Sequence, residues 1–324
     1  MSLGPDLQKV PLANIIAGQK FLMSFARPLQ PLLCSIRQIG QTTPLLARET
    51  RRGPELFSGF RRLAALKELG KKSVLVLTWK GSRLSEKQAL RMAFFENVAV
   101  RGLNLVEQAM AVTAFQNLGL SKKSITRSCF LPAALPASAA VIDSLAGLML
   151  LEHDWKIFLV EKNISLRHAS ELARLKPEER SALKTVLPLR PTASQFREIL
   201  ETTTEIARRE QMSVAELFQN SELRAILSAQ GQPAPQKLES LLQALHKIRH
   251  PHYVRLMARH TRLCQHLSIP AELEIVPTDF FEKPQYQLKM ALTPRTEARK
   301  IFQKLLTAAS SPAWKKLFEL DEQN

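Results

Sequence analysis

The chain has 324 residues, 45% hydrophobic and 23% charged, an ordinary globular composition long enough for two or three domains with real cores. Its 46 Lys and Arg against 29 Asp and Glu give a formal net charge of +17, which suits a polyanionic partner, nucleic acid before membrane. Cys34, Cys129 and Cys264 are odd in number and far apart, which excludes a disulfide framework and points to a reducing compartment. The N-terminus lacks a signal pattern, and the most apolar stretch, Ala133 to Leu151, is interrupted by Pro136, Ser138, Asp143 and Ser144, so a cytoplasmic location without membrane attachment is expected.

In chain order, Leu7–Ile16 reads as an edge strand, Leu32–Ile39 as a helix stopped by Gly40, and Pro44–Ala47 and Leu56–Phe57 as strands. Phe60–Leu69 reads as a helix stopped by Gly70, and Ser73–Trp79, β-branched and apolar, as a strand. Ser85 with Gln88, and Asn104 with Glu107, have capping-box spacing and open helices running to about Phe95 and Gln116. Helical periodicity then dominates: Ser121–Ser128, Ser138–Leu151, Ser165–Leu175, Ser194–Arg209 and Ser213–Leu227. A turn-rich linker at 230–235 precedes helices at Lys237–Lys247 and Tyr253–Leu267. Glu272–Val276 and Gln285–Ala291 read as a hairpin around 280–284, followed by a helix from Pro294 to about Ala308. Residues 1–103, 104–229 and 236–324 are the expected domains. The basic excess is concentrated early: residues 1–105 carry 17 Lys and Arg against 6 acids, residues 106–190 carry 11 against 8, and residues 191–324 carry 18 against 15.

The turn Ser58-Gly59-Phe60-Arg61-Arg62 concentrates the chemistry. It puts two arginines in the first turn of a helix that follows a strand, where the helix dipole is already positive. A bound anion would reverse that repulsion, since free N–H groups, dipole and guanidinium groups would converge on it. On the local pattern alone, two solvated surface arginines fit equally well.

Three ordered segments resemble the ParB family of partition proteins: Ser35–Leu46 (an S-I-x-x-x-G-x-x-x-P pattern), Gly59–Ala65 (similar to G-E-R-R-x-x-A) and Glu96–Ala109 (similar to E-N-L-Q-R-x-D-L-N-x-x-E-x-A). Weaker similarity at Ile164–Ala169 extends the likeness over roughly 7–180. The resemblance implies an α+β N-terminal ParB/sulfiredoxin-like domain, then a mainly α-helical domain with a degenerate helix-turn-helix and a small C-terminal α+β module. It further implies CTP with Mg2+, closure around DNA, a homodimer, a ParA-type ATPase partner and a place at the nucleoid. Matched residue by residue, Gly59, Arg61 and Arg62 would hold the triphosphate, and Gly40, Gln41 and Thr43 would meet base or sugar. Asn97 would border the nucleotide, and Glu96 with Asn97 would hold the metal.

The sequence departs from the family in three places. Phe60 stands where the family has glutamate, so at most weak CTP hydrolysis is expected. Val100 stands at the family arginine, with Arg101 one residue later. The position of the sulfiredoxin cysteine is also Phe60, which disfavours that chemistry. Lys122, Lys123 and Arg127 are candidate DNA-phosphate contacts, but the segment expected to be the recognition helix, Ala137–Leu151, contains no Arg, Lys, Asn or Gln to read base edges. Arg255, Arg259 and Arg262 form a second candidate DNA contact in a stretch, His246–His266, that has no acidic residue. The alternatives are a nucleotide-independent DNA-binding or adaptor protein and a metal-dependent nuclease.

Overall fold

Burial alternates along the apolar run Ser73–Trp79, with Val74 and Val76 buried on one side of a sheet. In the computed structural model, which describes residues 4–267, 269, 273–278, 285–290, 298–309, 311 and 313–319, this strand is β4. It lies in a four-stranded sheet with β1 (Asp6–Pro11), β2 (Leu45–Thr50) and β3 (Gly53–Ser58), in the order β1-β4-β2-β3. β1 runs antiparallel to β4, β2 parallel to β4, and β3 antiparallel to β2, with a bulge at Leu46/Ala47. β1 is an edge strand as expected but ends at Pro11, where the chain turns into a short 3-10 segment, Leu12–Asn14.

Two helices cover the sheet: α1 (Gln30–Ile39) and α2 (Phe60–Glu68) bring Leu33, Ile36, Leu63 and Leu66 onto Leu45, Leu56 and Val76. Fully burying one such leucine contributes about 1.5–3 kcal/mol. Phe57 meets Phe21 and Trp79 with ring centroids 6.5 and 5.5 Å apart. α3 (Glu86–Arg101) and α4 (Leu105–Asn117) start with the expected capping boxes, Ser85/Gln88 and Asn104/Glu107, each cap contributing about 1 kcal/mol. α3 runs on past Phe95 to Arg101, because Ala89, Leu90, Ala93 and Phe94 keep one face buried and Gly102 supplies the stop.

By its contacts the chain divides into two compact units, Met1–Leu200 and Glu201–Asn324. In the first, helices follow at Lys122–Ile125, continuing as a π-helix Thr126–Phe130, and at Ala139–Gly147, His153–Glu161, Leu166–Arg174 and Pro177–Lys184. Trp155, Phe158 and Phe196 pack ring against ring at 4.8–6.0 Å in the core of this part. Helix Ala193–Arg209 carries the chain into the second unit.

There the single helix expected at Ser213–Leu227 is two, Val214–Leu217 and Ser221–Ser228, because the Asn220 side chain caps a new start by accepting from Glu222 N and Leu223 N. Helices Ala234–Arg249 and Pro251–His266 follow, then antiparallel strands Leu273–Pro277 and Tyr286–Met290, and helices Ala298–Ala309 and Ala313–Phe318. Residues 280–284, expected as the hairpin loop, and 294–297, the expected start of the last long helix, lie outside the described residues. Among the described residues no helix is long and apolar enough to cross a membrane.

Candidate functional site

The β3–α2 turn hinges on Gly59. Its φ is +97°, the left-handed region open to glycine, and a Cβ there would lie 2.8 Å from Leu45 Cδ2. The turn places the start of α2 at a cavity of about 330 Å3 whose charged walls are Arg61, Arg62, Arg101 and Glu96. Arg62 is paired with Glu96 and Arg101 with Glu107, which leaves Arg61 as the lining arginine with no carboxylate partner.

Each arginine is held differently. Arg61 Nη2 donates to Pro28 O at 2.7 Å, while its buried Nε has no hydrogen-bond partner. Burial, and then the charges of Arg101 and Arg27, lower its pKa. An anion here would offset the repulsion. Arg62 donates to Thr43 O and Pro44 O at 3.2 and 2.6 Å, and to Glu96 Oε1 at 2.9 Å. Arg101 donates to Met23 O, to Asn97 Oδ1 and to both oxygens of Glu107.

The predicted site residues are thus brought together in part. Gly59, Arg61, Arg62, Thr43, Glu96 and Asn97 line one cavity; Gly40 and Gln41 do not. Gln41 is spent on the sheet, its amide exchanging two 2.8 Å hydrogen bonds with the backbone of Leu75. Glu96, expected at a metal, accepts from Arg62 and from Ser58 Oγ. Asn97 Nδ2 donates to Ala93 O at 2.7 Å, and its Oδ1 receives Arg101. Among the described residues no three His, Cys, Asp or Glu side chains gather to hold a metal.

Sequence reasoning missed Arg27 and the second role of Glu107. Glu107 is completely buried and accepts from Arg27, Arg101, Phe25 N and Asn104 N. Burial works against its charge, but the donors Arg27, Arg101 and Asn104 N prevail and hold its carboxyl below the usual range. The capping box signalled the position, not the ion pairs.

The candidate DNA contacts lie elsewhere. Lys122, Lys123 and Arg127 are exposed, and Lys122 pairs with Asp143. Helix Ala139–Gly147 exposes Ala139, Ala140 and Asp143. In the second unit Arg255, Arg259 and Arg262 share the exposed face of helix Pro251–His266, while Leu256 and Leu267 enter a core with Ile275 and Leu317. In the same helix His260 is buried, stacked on Tyr286 with its Nε2 3.5 Å from Cys264 Sγ.

An α+β domain leading into helices, with an arginine-walled cavity at a strand–glycine–helix turn, defines the class of protein. Residues 4–98 match the ParB N-terminal domain, and the chain is similar to ParB-family proteins over that part. The chromosome-partitioning protein Spo0J of Thermus thermophilus is 29% identical over 187 residues, 57% of this chain and 66% of that protein, so the match spans just under two thirds of the relative. The probable chromosome-partitioning protein ParB of Vibrio cholerae is 26% identical over 232 residues, 68% of this chain and 75% of that protein. Among solved structures, the C-terminally truncated ParB of Caulobacter crescentus complexed with CTP-gamma-S shares 21% identity over 52% of this chain and 92% of that chain, with a TM-score of 0.27.

Proposed function

We propose that this chain is a DNA-associated partition-type protein whose N-terminal cavity binds the triphosphate of CTP. The observation that carries this reading is the cavity walled by Arg61, Arg62 and Arg101 at the start of α2, with a buried Arg61 Nε lacking any partner. A triphosphate brings negative charge to this positive wall, and a helix N-terminus suits phosphate. The choice of CTP rests on the family resemblance of the Gly59–Ala65 and Glu96–Ala109 segments; the names of the Thermus and Vibrio relatives support partition. A homodimer, a ParA-type ATPase partner and a nucleoid location belong to the same reading.

Calorimetric titration with CTP, beside ATP and GTP, tests it. CTP gives heat that the other two do not match. Arg61→Ala weakens binding by about 10–100-fold, the worth of a charge-assisted hydrogen bond, with little change in melting temperature. Absence of heat with wild type removes the nucleotide.

DNA is held through phosphates by Lys122, Lys123 and Arg127 and by the exposed row Arg255, Arg259 and Arg262, without base reading. Replacing the three C-terminal arginines by alanine reduces the slope of log affinity against log salt by up to about 0.9 per lost contact on duplex DNA. An unchanged slope takes this helix out of the interface. A nucleotide-independent DNA-binding protein is the second reading, favoured by one observation: Arg62 is already satisfied by Glu96, Thr43 O and Pro44 O.

A further inference from the structure

We infer that the cavity holds its anion with arginines in place of a divalent cation, so that nucleotide binding is metal-independent and Glu96 braces Arg62. The inference rests on the CTP reading and deepens it.

Mg2+ needs hard oxygen donors that are free to face it, usually one or two carboxylates completed by phosphate oxygens and water. Among the residues lining the cavity Glu96 is the one carboxylate. Its Oε1 holds Arg62 Nη2 at 2.9 Å and its Oε2 holds Ser58 Oγ. The neighbouring amide oxygen, Asn97 Oδ1, takes two N–H groups of Arg101 at 3.1 and 2.8 Å. The position where the family resemblance expects a second carboxylate is Phe60, which is half-buried and packs against the sheet core. A cation would therefore have to strip Arg62 from Glu96 and then sit among Arg61, Arg62 and Arg101.

The arginines supply what the metal would otherwise provide. The Arg101 N–H groups are already taken by Glu107, Asn97 and Met23 O, so Arg61 and Arg62 are the guanidinium groups left to meet phosphate oxygens. Ser58 and Glu96 hold the Arg62 fork in place, and Pro28 O holds Arg61 by its Nη2, which leaves the Arg61 Nε unpartnered. Glu96 is thus a positioning residue.

The test is equilibrium binding of CTP to the full chain in excess EDTA and in millimolar magnesium chloride. The affinities are expected to agree within about threefold, less than 1 kcal/mol. CTP bound only in magnesium overturns the inference and leaves the CTP reading standing. No binding in either medium removes both. Glu96→Gln keeps an amide oxygen for Arg62 and deletes a negative charge near the phosphates, so binding in both media is expected to be unchanged or tighter. A loss of tenfold or more confined to magnesium marks Glu96 as a metal ligand and overturns the inference.

Discussion

Two glutamates flanking the α3–α4 junction bind arginine in opposite settings. Glu107 is 0% exposed and gathers Arg27, Arg101 and two backbone N–H groups. Glu96 is 29% exposed, faces the cavity and holds one arginine and one hydroxyl. The first ties the segment around Phe25–Arg27 to the end of α3 and the start of α4, with Arg27 80 residues from Glu107 in sequence. The second fixes one side chain at a site's edge. A buried charge with a full set of donors is part of the scaffold; a carboxylate with few donors at a cavity is part of what the cavity does.

The largest effect expected from this contrast is at Glu107. Glu107→Gln leaves two arginines without their counter-charge and is expected to cost about 3–5 kcal/mol in urea unfolding, as for breaking a buried ion pair. A loss as small as that of a surface pair would erase the distinction. The pH dependence sharpens it. The folded carboxyl titrates below its unfolded value, so its stabilisation is complete above the ordinary carboxylate range and is lost as pH falls through the folded pKa. Melting temperature measured from neutral to acid pH should fall less steeply in Glu107→Gln than in wild type. The smallest effect is at Glu96: Glu96→Gln is expected to change unfolding free energy by at most about 1 kcal/mol, the range of a partly exposed pair. A change as large as that at Glu107 would mean that both carboxylates are scaffold.

Local signals made much of the fold legible. Ser85/Gln88 and Asn104/Glu107 announced their helices, because a cap and its partner three residues on are read from one turn of chain. Helices His153–Glu161 and Pro177–Lys184 were not foreseen: their N-cap positions are Glu152 and Lys176, and neither side chain belongs to the usual capping set. The break at Asn220 was hidden because an asparagine inside an apolar pattern reads as a solvent-facing helix residue. At the site, Gly59 and the two arginines were legible from one turn. The partners of Glu107 were not, since Arg27 lies 80 residues away in sequence and meets it only once the sheet and helices are assembled. The same holds for Gln41, whose pairing with Leu75 depends on the sheet.

At position 59 a φ of +97° and the Leu45 Cδ2, 2.8 Å from where a Cβ would lie, both disfavour a side chain. A side chain placed there is therefore expected to strain the turn and to press on a leucine of the sheet core at once. A change two residues on, at Arg61, is expected to leave the domain assembled and so to test the proposed ligand separately.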